Sequence, residues 1–356
     1  MDIALYGEAG AGKTTTLSQY AKYKIKQNDS SVIYLKLNNV YNKAADMGAV
    51  YTKKEGPNLL YQLVCINVGQ EINSTSIKDT SKFFDSPRTL ILDGLDEVYK
   101  ALPNILEHIQ TFKSAHPQTQ IIISSRDCVS YLNEISFLGV TLEPFSIDQL
   151  NTFAELYLGK TKYKKIKAKL NSPVLSKVIR TPLLATVACE LFDMGINSFG
   201  NENEIYDCRL RLFTGEYDAS KGIVGKTRMT IPHEILRKIL VSLAFYMHEN
   251  NRRTIEFQRV VAFLVRSQSL KESFVKRALE ELINEANLLF LSKVGQKISF
   301  GHFRFQEHLT SLALQKQVGF NWLECLTNDF WRGALELFAM GNNIEFLFNM
   351  FTQNNI

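Results

Sequence analysis

The segment Gly7-Glu8-Ala9-Gly10-Ala11-Gly12-Lys13-Thr14 is what most restricts this chain. It fits the pattern GxxxxGK followed by Ser or Thr, sits directly behind the apolar run Asp2–Tyr6, and leads into a helical stretch from Lys13 to Gln27. In that order the glycines let backbone N–H groups turn inward around phosphate oxygens, and the helix start adds the positive end of a dipole. Lys13 reaches the β- and γ-phosphates, and the Thr14 hydroxyl meets Mg²⁺. The candidate nucleotide-binding set is Gly7, Gly10, Ala11, Gly12, Lys13, Thr14 and Thr15. The expected cofactors are ATP or ADP with Mg²⁺.

Strand and helix patterns alternate behind the loop. Strands are predicted over Asp2–Tyr6, Val32–Leu37, Arg88–Leu92, Gln120–Ser124 and Val140–Glu143. Helices are predicted over Lys13–Gln27, Asn58–Glu71 and Leu102–Ala115. The apolar runs are continuous, which predicts strands covered on both faces. The alternation predicts a parallel sheet with right-handed crossovers.

Two of those strands end in chemistry, at the edge where open α/β sheets hold ligands. The run Leu90-Ile91-Leu92 leads into Asp93-Gly94-Leu95-Asp96-Glu97. Asp93 is placed to hold Mg²⁺, directly or through water, and Asp96 or Glu97 to orient an attacking water. The run Ile121-Ile122-Ile123 leads into Ser124-Ser125-Arg126-Asp127. Arg126 at that tip points at the γ-phosphate as sensor or charge stabiliser.

After Pro144 the pattern becomes helical. Ser146 and Gln149 form a capping box ahead of an amphipathic helix. Lys160–Lys169 is a basic helical stretch, and Thr181–Met194 and Pro232–His248 are apolar helices. Asn197–Asn203 and Asp218–Thr230 read as loops. Helices near Phe257–Arg266 and Lys271–Ala286 precede two alternating runs around Gly295-Gln296, the order of a winged helix with its hairpin. A helix follows over Gln306–Gln317. The last 35 residues are amphipathic and aromatic, with Trp322, Phe330, Trp331, Phe338, Phe346, Phe348 and Phe351.

The phosphate loop, the doubled acidic motif at Asp93–Glu97 and the Ser124-Ser125-Arg126 tip together resemble the NACHT family, within the STAND class of signalling P-loop NTPases. Leu142–Leu158 resembles that family's exit into its first helical domain. Thr181-Pro182-Leu183-Leu184 resembles the motif whose proline packs on adenine. Phe300–Leu309 resembles its winged-helix motif. The resemblance implies that Pro182 contacts adenine and that His302 binds the β-phosphate of ADP in a closed state. It implies an α/β P-loop NTPase domain with a parallel sheet over residues 1–145 and an all-α helical domain over 146–230. A winged-helix domain follows over 231–317, and residues 318–356 are C-terminal helices that begin a further helical or sensor region. The implied function is a nucleotide-controlled signalling switch that hydrolyses ATP slowly and opens and homo-oligomerises on ADP/ATP exchange, with roles in innate immune or antiphage-type defence. Effector and sensor modules are then expected in cis or in trans. Adenine is favoured over guanine by the resemblance. Asn42-Lys43-Ala44-Ala45-Asp46 is one residue too long for a guanine-reading NKxD and precedes the acidic strand.

Composition narrows the alternatives. Hydrophobic residues make up 45% and charged residues 22% of 356, ordinary globular values. Cys65, Cys128, Cys189, Cys208 and Cys325 are irregularly spaced with no CxxC, which argues against a disulfide framework or zinc site and for a reducing compartment. No signal peptide and no uninterrupted apolar run of membrane-spanning length is present. A cytoplasmic protein without a membrane partner is expected. Two rival readings stay open. One is an AAA-like ATPase acting on nucleic acid or protein. The other is a nucleic-acid-binding module using the winged helix and Lys160–Lys169. The net charge of +5 is mild, and Lys271–Ala286 balances acids against bases, so nucleic acid is the less favoured partner.

Overall fold

The computed structural model describes residues 1–27, 31–46, 58–99, 101–102, 104–126, 136–216, 229–292, 296–315, 321–342, 344–345 and 349. They divide into two compact units, Met1–Pro144 and Phe145–Ile356.

The first unit runs β1 (Ile3–Tyr6), α1 (Lys13–Lys26), β2 (Val32–Lys36), α2 (Leu37–Asp46), α3 (Leu59–Asn67), α4 (Ser74–Phe83), β3 (Thr89–Asp93), a 3-10 turn (Leu95–Glu97), α5 (Ile105–Ala115), β4 (Gln120–Ser124) and β5 (Leu138–Thr141). The strands form one parallel sheet in the order β2-β3-β4-β1-β5. Continuous apolar strands need cover on both faces. Leu35, Leu90, Leu92, Ile121 and Ile123 pack under α3 and α5. Leu5, Ile91 and Ile122 pack under Leu17 and Ala21 of α1 on the other face. This is the fold of the P-loop NTPases, with β1 between β4 and β5 and its loop at the C-terminal edge of the sheet.

Three differences from the expected elements have local causes. β5 begins at Leu138, two residues earlier than read, because it follows β1 along its whole length, from Leu138 N donating to Asp2 O to Leu142 N donating to Tyr6 O. Helix α2 continues directly from β2 and buries Leu37, Val40 and Ala44 along one face, a stripe overlooked behind the strand pattern. Helix α4 is polar, started by a capping box between Asn73 and Ser76. α3 stops at Asn67 because Gly69, at φ 77°, turns the chain back onto the Cys65 and Ile66 carbonyls.

The second unit is helical up to a small sheet. It runs α6 (Ile147–Leu158), α7 (Lys160–Leu170), α8 (Leu175–Val178), α9 (Pro182–Asp193), α10 (Glu202–Phe213), α11 (His233–Glu249), β6 (Ile255–Glu256), α12 (Phe257–Gln268), α13 (Glu272–Asn284), β7 (Leu289–Leu291), β8 (Lys297–Phe300), α14 (Phe303–Leu314), α15 (Trp322–Leu326), a 3-10 turn (Asp329–Trp331) and α16 (Arg332–Gly341). The antiparallel order β6-β8-β7 behind α12 and α13 makes the winged helix. Ser146 and Gln149 form the expected capping box of α6. Helix α10 begins inside the segment expected to be loop up to Asn203, because Asn201 caps it by accepting from Glu204 N at 2.9 Å. The expected hairpin tip at Gly295, most of the 218–230 loop, Asp127, Cys128, the end of the 306–317 helix, and Phe346, Phe348 and Phe351 lie outside the described residues. Trp331 and Phe338 are buried together with Leu314 and Cys325. Cys65, Cys189, Cys208 and Cys325 are buried thiols, none of them in a disulfide among the described residues.

Helix α14 buries polar side chains that a sequence pattern assigns to solvent. Arg304, Gln306, Glu307, His308, Thr310 and Ser311 are all buried. The Arg304 guanidinium donates to both Glu202 carboxylate oxygens, at 2.8 and 3.2 Å, and to Glu307 at 3.2 Å. Such burial is tolerable only when the charges are paired and their remaining donors satisfied. Gly333 of α16 belongs to this arrangement: its carbonyl accepts from Arg304, and a Cβ there would overlap the Glu307 carboxylate.

His308 lies about one and a half turns from the helix start. It is 2% exposed, and burial holds its imidazole down to about 4, with Arg237 and Arg304 adding to the effect and Asp207 opposing it. A histidine kept neutral in the fold but free to protonate near 6.5 when unfolded makes the unfolded chain bind more protons between those values. The contribution is therefore intact above pH 6.5 and is lost as pH falls toward 4. Urea melts at pH 7 and pH 5 should show this loss, and His308→Gln should have a shallower loss than wild type over the same interval.

Candidate nucleotide-binding site

The site is assembled at the C-terminal ends of β1, β3 and β4. After β1 the loop turns through three glycines at positive φ: Gly7 at 154°, Gly10 at 81° and Gly12 at 94°. The last two are left-handed values that side chains with a Cβ resist. At Gly7 a Cβ would also lie 3.3 Å from the Cβ atoms of Ala11 and Leu142, a tight contact at a backbone angle that residues with a Cβ rarely adopt. Ala11 N donates to Glu8 O at 3.2 Å and Thr16 N to Gly12 O at 2.8 Å, which locks the turn onto α1. Gly12 offers no side chain to cap α1, and no acid stands in its first turn. An anion is the natural partner for such a helix start. Lys13 Nζ donates to the carbonyls of Gly7 and Glu8, the latter at 3.1 Å, so the ammonium spans the loop. Thr14 and Thr15 follow it on the first turn of α1.

Asp93 closes β3 and is 6% exposed. Its two oxygens are held from opposite sides. Ser124 Oγ of β4 donates to Oδ1 at 2.5 Å, and the Tyr34 hydroxyl of β2 donates to Oδ2 at 2.8 Å. Ser124 Oγ also accepts from Gly94 N at 2.8 Å, which pins the chain as it leaves the strand. The Tyr34 phenol is pushed well above its ordinary range by burial first, then by the Asp93 and Glu97 carboxylates, so it stays a neutral donor. Gly94 turns at φ 84°, and a Cβ on it would lie 2.9 Å from Glu97 Cδ. The Glu97 carboxylate therefore curls back over the turn.

Arg126, the residue expected to face the γ-phosphate, pairs with Asp96: Nε lies 3.5 Å from Oδ2, with side chains only 16% and 11% exposed. The two acids after Gly94 are thereby differentiated, Asp96 carrying the guanidinium and Glu97 folded over the glycine. Beside Arg126, Ser125 N donates to Leu5 O at 3.0 Å, tying the β4 tip to β1. Ser125 is fully buried, and its Oγ has no hydrogen-bond partner among the described residues. A buried orphan hydroxyl at the strand tips is the group that a phosphate oxygen or its water would satisfy.

The residues fit a bound nucleotide diphosphate or triphosphate: a glycine cradle, an uncapped helix start, a lysine across the loop and an orphan hydroxyl. Thr14 and Asp93 are hard oxygen donors of the kind that could hold Mg²⁺ alongside phosphate oxygens. Among the described residues no cluster of three or more His, Cys, Asp and Glu side chains could hold a metal ion, and no helix is long and apolar enough to cross a membrane.

Pro182 and His302, the other two expected contacts, lie in the second unit. Pro182 is the first residue of α9 behind the Thr181 cap, which accepts from Leu184 N at 3.3 Å. That is the position where proline costs a helix nothing. His302 caps α14, its Nδ1 accepting from Arg304 N at 3.1 Å. A neutral ring that accepts at Nδ1 carries its proton on Nε2. Sequence reading overlooked Tyr34, whose partner is 59 positions away, and Ser125 as an individual contact. The ring of Tyr34 looks in sequence like one more apolar strand residue.

No protein-family model matches the chain, and no curated protein matches it. Solved structures do. The Aeropyrum pernix Orc1 protein in complex with DNA is similar with 14% identity and a TM-score of 0.38, covering 88% of each chain. The replication initiator DnaA bound to AMPPCP and single-stranded DNA is similar with 13% identity and a TM-score of 0.35, over 79% of this chain and 82% of that one. A STAND protein with a tetratricopeptide repeat sensor from Pyrococcus horikoshii is similar with 11% identity and a TM-score of 0.42, over 99% of this chain and 47% of that one. At such identities and TM-scores the chain's function has to be argued from its own residues.

Lys13→Ala removes the one cation on the phosphate loop. Nucleotide affinity should fall by about 10- to 100-fold, the worth of a charge-assisted hydrogen bond, in a titration with a fluorescent ADP analogue. Unchanged affinity would exclude this loop as the site.

Proposed function

We propose that the chain is the core of a nucleotide-controlled signalling switch of the NACHT type, which binds ATP or ADP with Mg²⁺, hydrolyses ATP slowly and changes state on exchange. The observation that carries this is the convergence, at one sheet edge, of the glycine cradle with Lys13, the doubly held Asp93 and the Arg126–Asp96 pair. Mg²⁺ when bound supplies charge neutralisation to the phosphates. Thr14 and Asp93 hold it, Lys13 orients the phosphate chain, and Glu97 orients the attacking water. Arg126, paired with Asp96, is positioned to exchange that carboxylate for a γ-phosphate. Such an exchange makes the site sensitive to the third phosphate, and a ligand shifts an equilibrium only through such differential contacts. Pro182 and His302 belong to the proposal as adenine and β-phosphate contacts of the ADP state. The Nε2 proton of His302 is the donor a phosphate oxygen needs. Homo-oligomerisation on opening, partners carrying effector and sensor modules, a cytoplasmic setting and a role in defence signalling complete the proposal.

The test is the nucleotide that accompanies the purified protein and its release rate. ADP retained through purification, with faster release from His302→Ala than from wild type, is expected. Rapid exchange in wild type together with sustained turnover would instead favour a working ATPase.

Glu97→Gln should keep ATP bound while slowing hydrolysis by about 10²- to 10⁴-fold, the scale of general-base catalysis. Asp96→Asn, which loosens Arg126, should cost less. The reverse ranking in single-turnover assays would assign the base to Asp96.

One observation favours a second reading, a nucleic-acid-binding module that uses the winged helix and Lys160–Lys169. Helix α7 carries six exposed lysines and no acid. Its +6 exceeds the +5 of the whole chain, so the rest of the protein sums to −1. Salt-sensitive binding to nucleic acid by this chain alone would favour that reading.

A further inference from the structure

We propose that Tyr34 is a positioning residue for the metal-side carboxylate: its phenol holds Asp93 in the orientation from which Mg²⁺ or a water on it is met. The inference rests on the reading of Asp93 given above and adds a residue from a strand that carries no nucleotide motif.

The geometry follows from strand register. β2 and β3 pair in parallel with Tyr34 opposite Ile91, so Tyr34 shares the face on which Ile91 packs toward Leu17 and Ala21 of α1. Asp93 lies two residues beyond Ile91 and therefore on that same face. The tyrosine is long enough to reach forward along the sheet to Oδ2, at 2.8 Å. A slip of one residue in β2 would turn Tyr34 to the opposite face and end the contact.

Two hydroxyls then fix one carboxylate. Ser124 approaches Oδ1 from β4 and Tyr34 approaches Oδ2 from β2, the two strands that flank β3. Each carboxylate oxygen can accept about two hydrogen bonds or metal contacts. One donor per oxygen stops rotation of the group and leaves capacity on both for a hard cation or its water. Ser124 alone holds only one side, because its Oγ is also tied to Gly94 N. Outer-shell donors of this kind set the orientation of metal-binding carboxylates, and losing one lowers metal affinity by about 10- to 100-fold. A ring needed only for packing would serve equally without its hydroxyl.

Tyr34→Phe separates the two roles, since it keeps the ring and the β-propensity of the strand. The probe is a fluorescent ATP analogue, titrated with saturating Mg²⁺ and again in EDTA, together with Mn²⁺ binding to the nucleotide complex followed by electron paramagnetic resonance. The expected result is unchanged affinity in EDTA, a melting temperature lowered only by the loss of one hydrogen bond to a buried carboxylate, and a rise of about 10- to 100-fold in the metal concentration needed for half-maximal effect. A Phe variant that keeps the wild-type metal dependence, or that loses affinity equally with and without metal, would overturn the role of Tyr34 alone. A wild-type protein whose nucleotide binding ignores the metal would overturn the reading of Asp93 as well.

Discussion

The structure of the first unit depends on keeping one carboxylate in place. Asp93 stands at the end of a strand buried from Thr89 onward, where a charge survives only if donors meet it. Both flanking strands supply one, Tyr34 from β2 and Ser124 from β4. Those donors reach it only in one parallel register, so the apolar pairing of three strands and the chemistry at their ends are a single constraint. The turn that follows obeys the same logic. Gly94 has no side chain and a left-handed backbone, so Glu97 can fold over it, and Asp96 is delivered to Arg126 at the next strand tip.

The second unit solves a related problem differently. Its helix α14 buries an arginine, a glutamate and a histidine along one flank, and pairs most of that polarity with α10 and α16. Glycine at position 333 is what lets α16 come close enough. His302, at the head of this helix, is fixed by its capping bond. A residue held by such a neighbour loses rotamer freedom before any ligand arrives, which lowers the cost of a later contact. His308 marks the weak point of the arrangement, since its second ring nitrogen is buried without a hydrogen-bond partner among the described residues.

Much of this was legible in the sequence because the signals are local. The phosphate loop is eight consecutive residues whose glycines sit where the backbone takes positive φ. The apolar runs of β1, β3 and β4 announce buried strands, and the Ser146–Gln149 box announces α6. The start of α10 and the polar helix α4 are set instead by single asparagine caps, Asn201 and Asn73, and α2 by the core into which its Leu37, Val40 and Ala44 pack.

By itself, then, the sequence determined the loop, the strands that end in Asp93 and Arg126, the helical character of the second half and the winged-helix order. Each is a property of neighbours in the chain, where glycine conformation, periodicity and capping act. The tertiary structure decided the rest. It chose Tyr34 and Ser124 as the donors to Asp93, paired Arg126 with Asp96, and joined Arg304 to Glu202 across 102 positions. Such contacts are set by strand register and helix packing, and a charge or hydroxyl does not show in one dimension which partner will satisfy it.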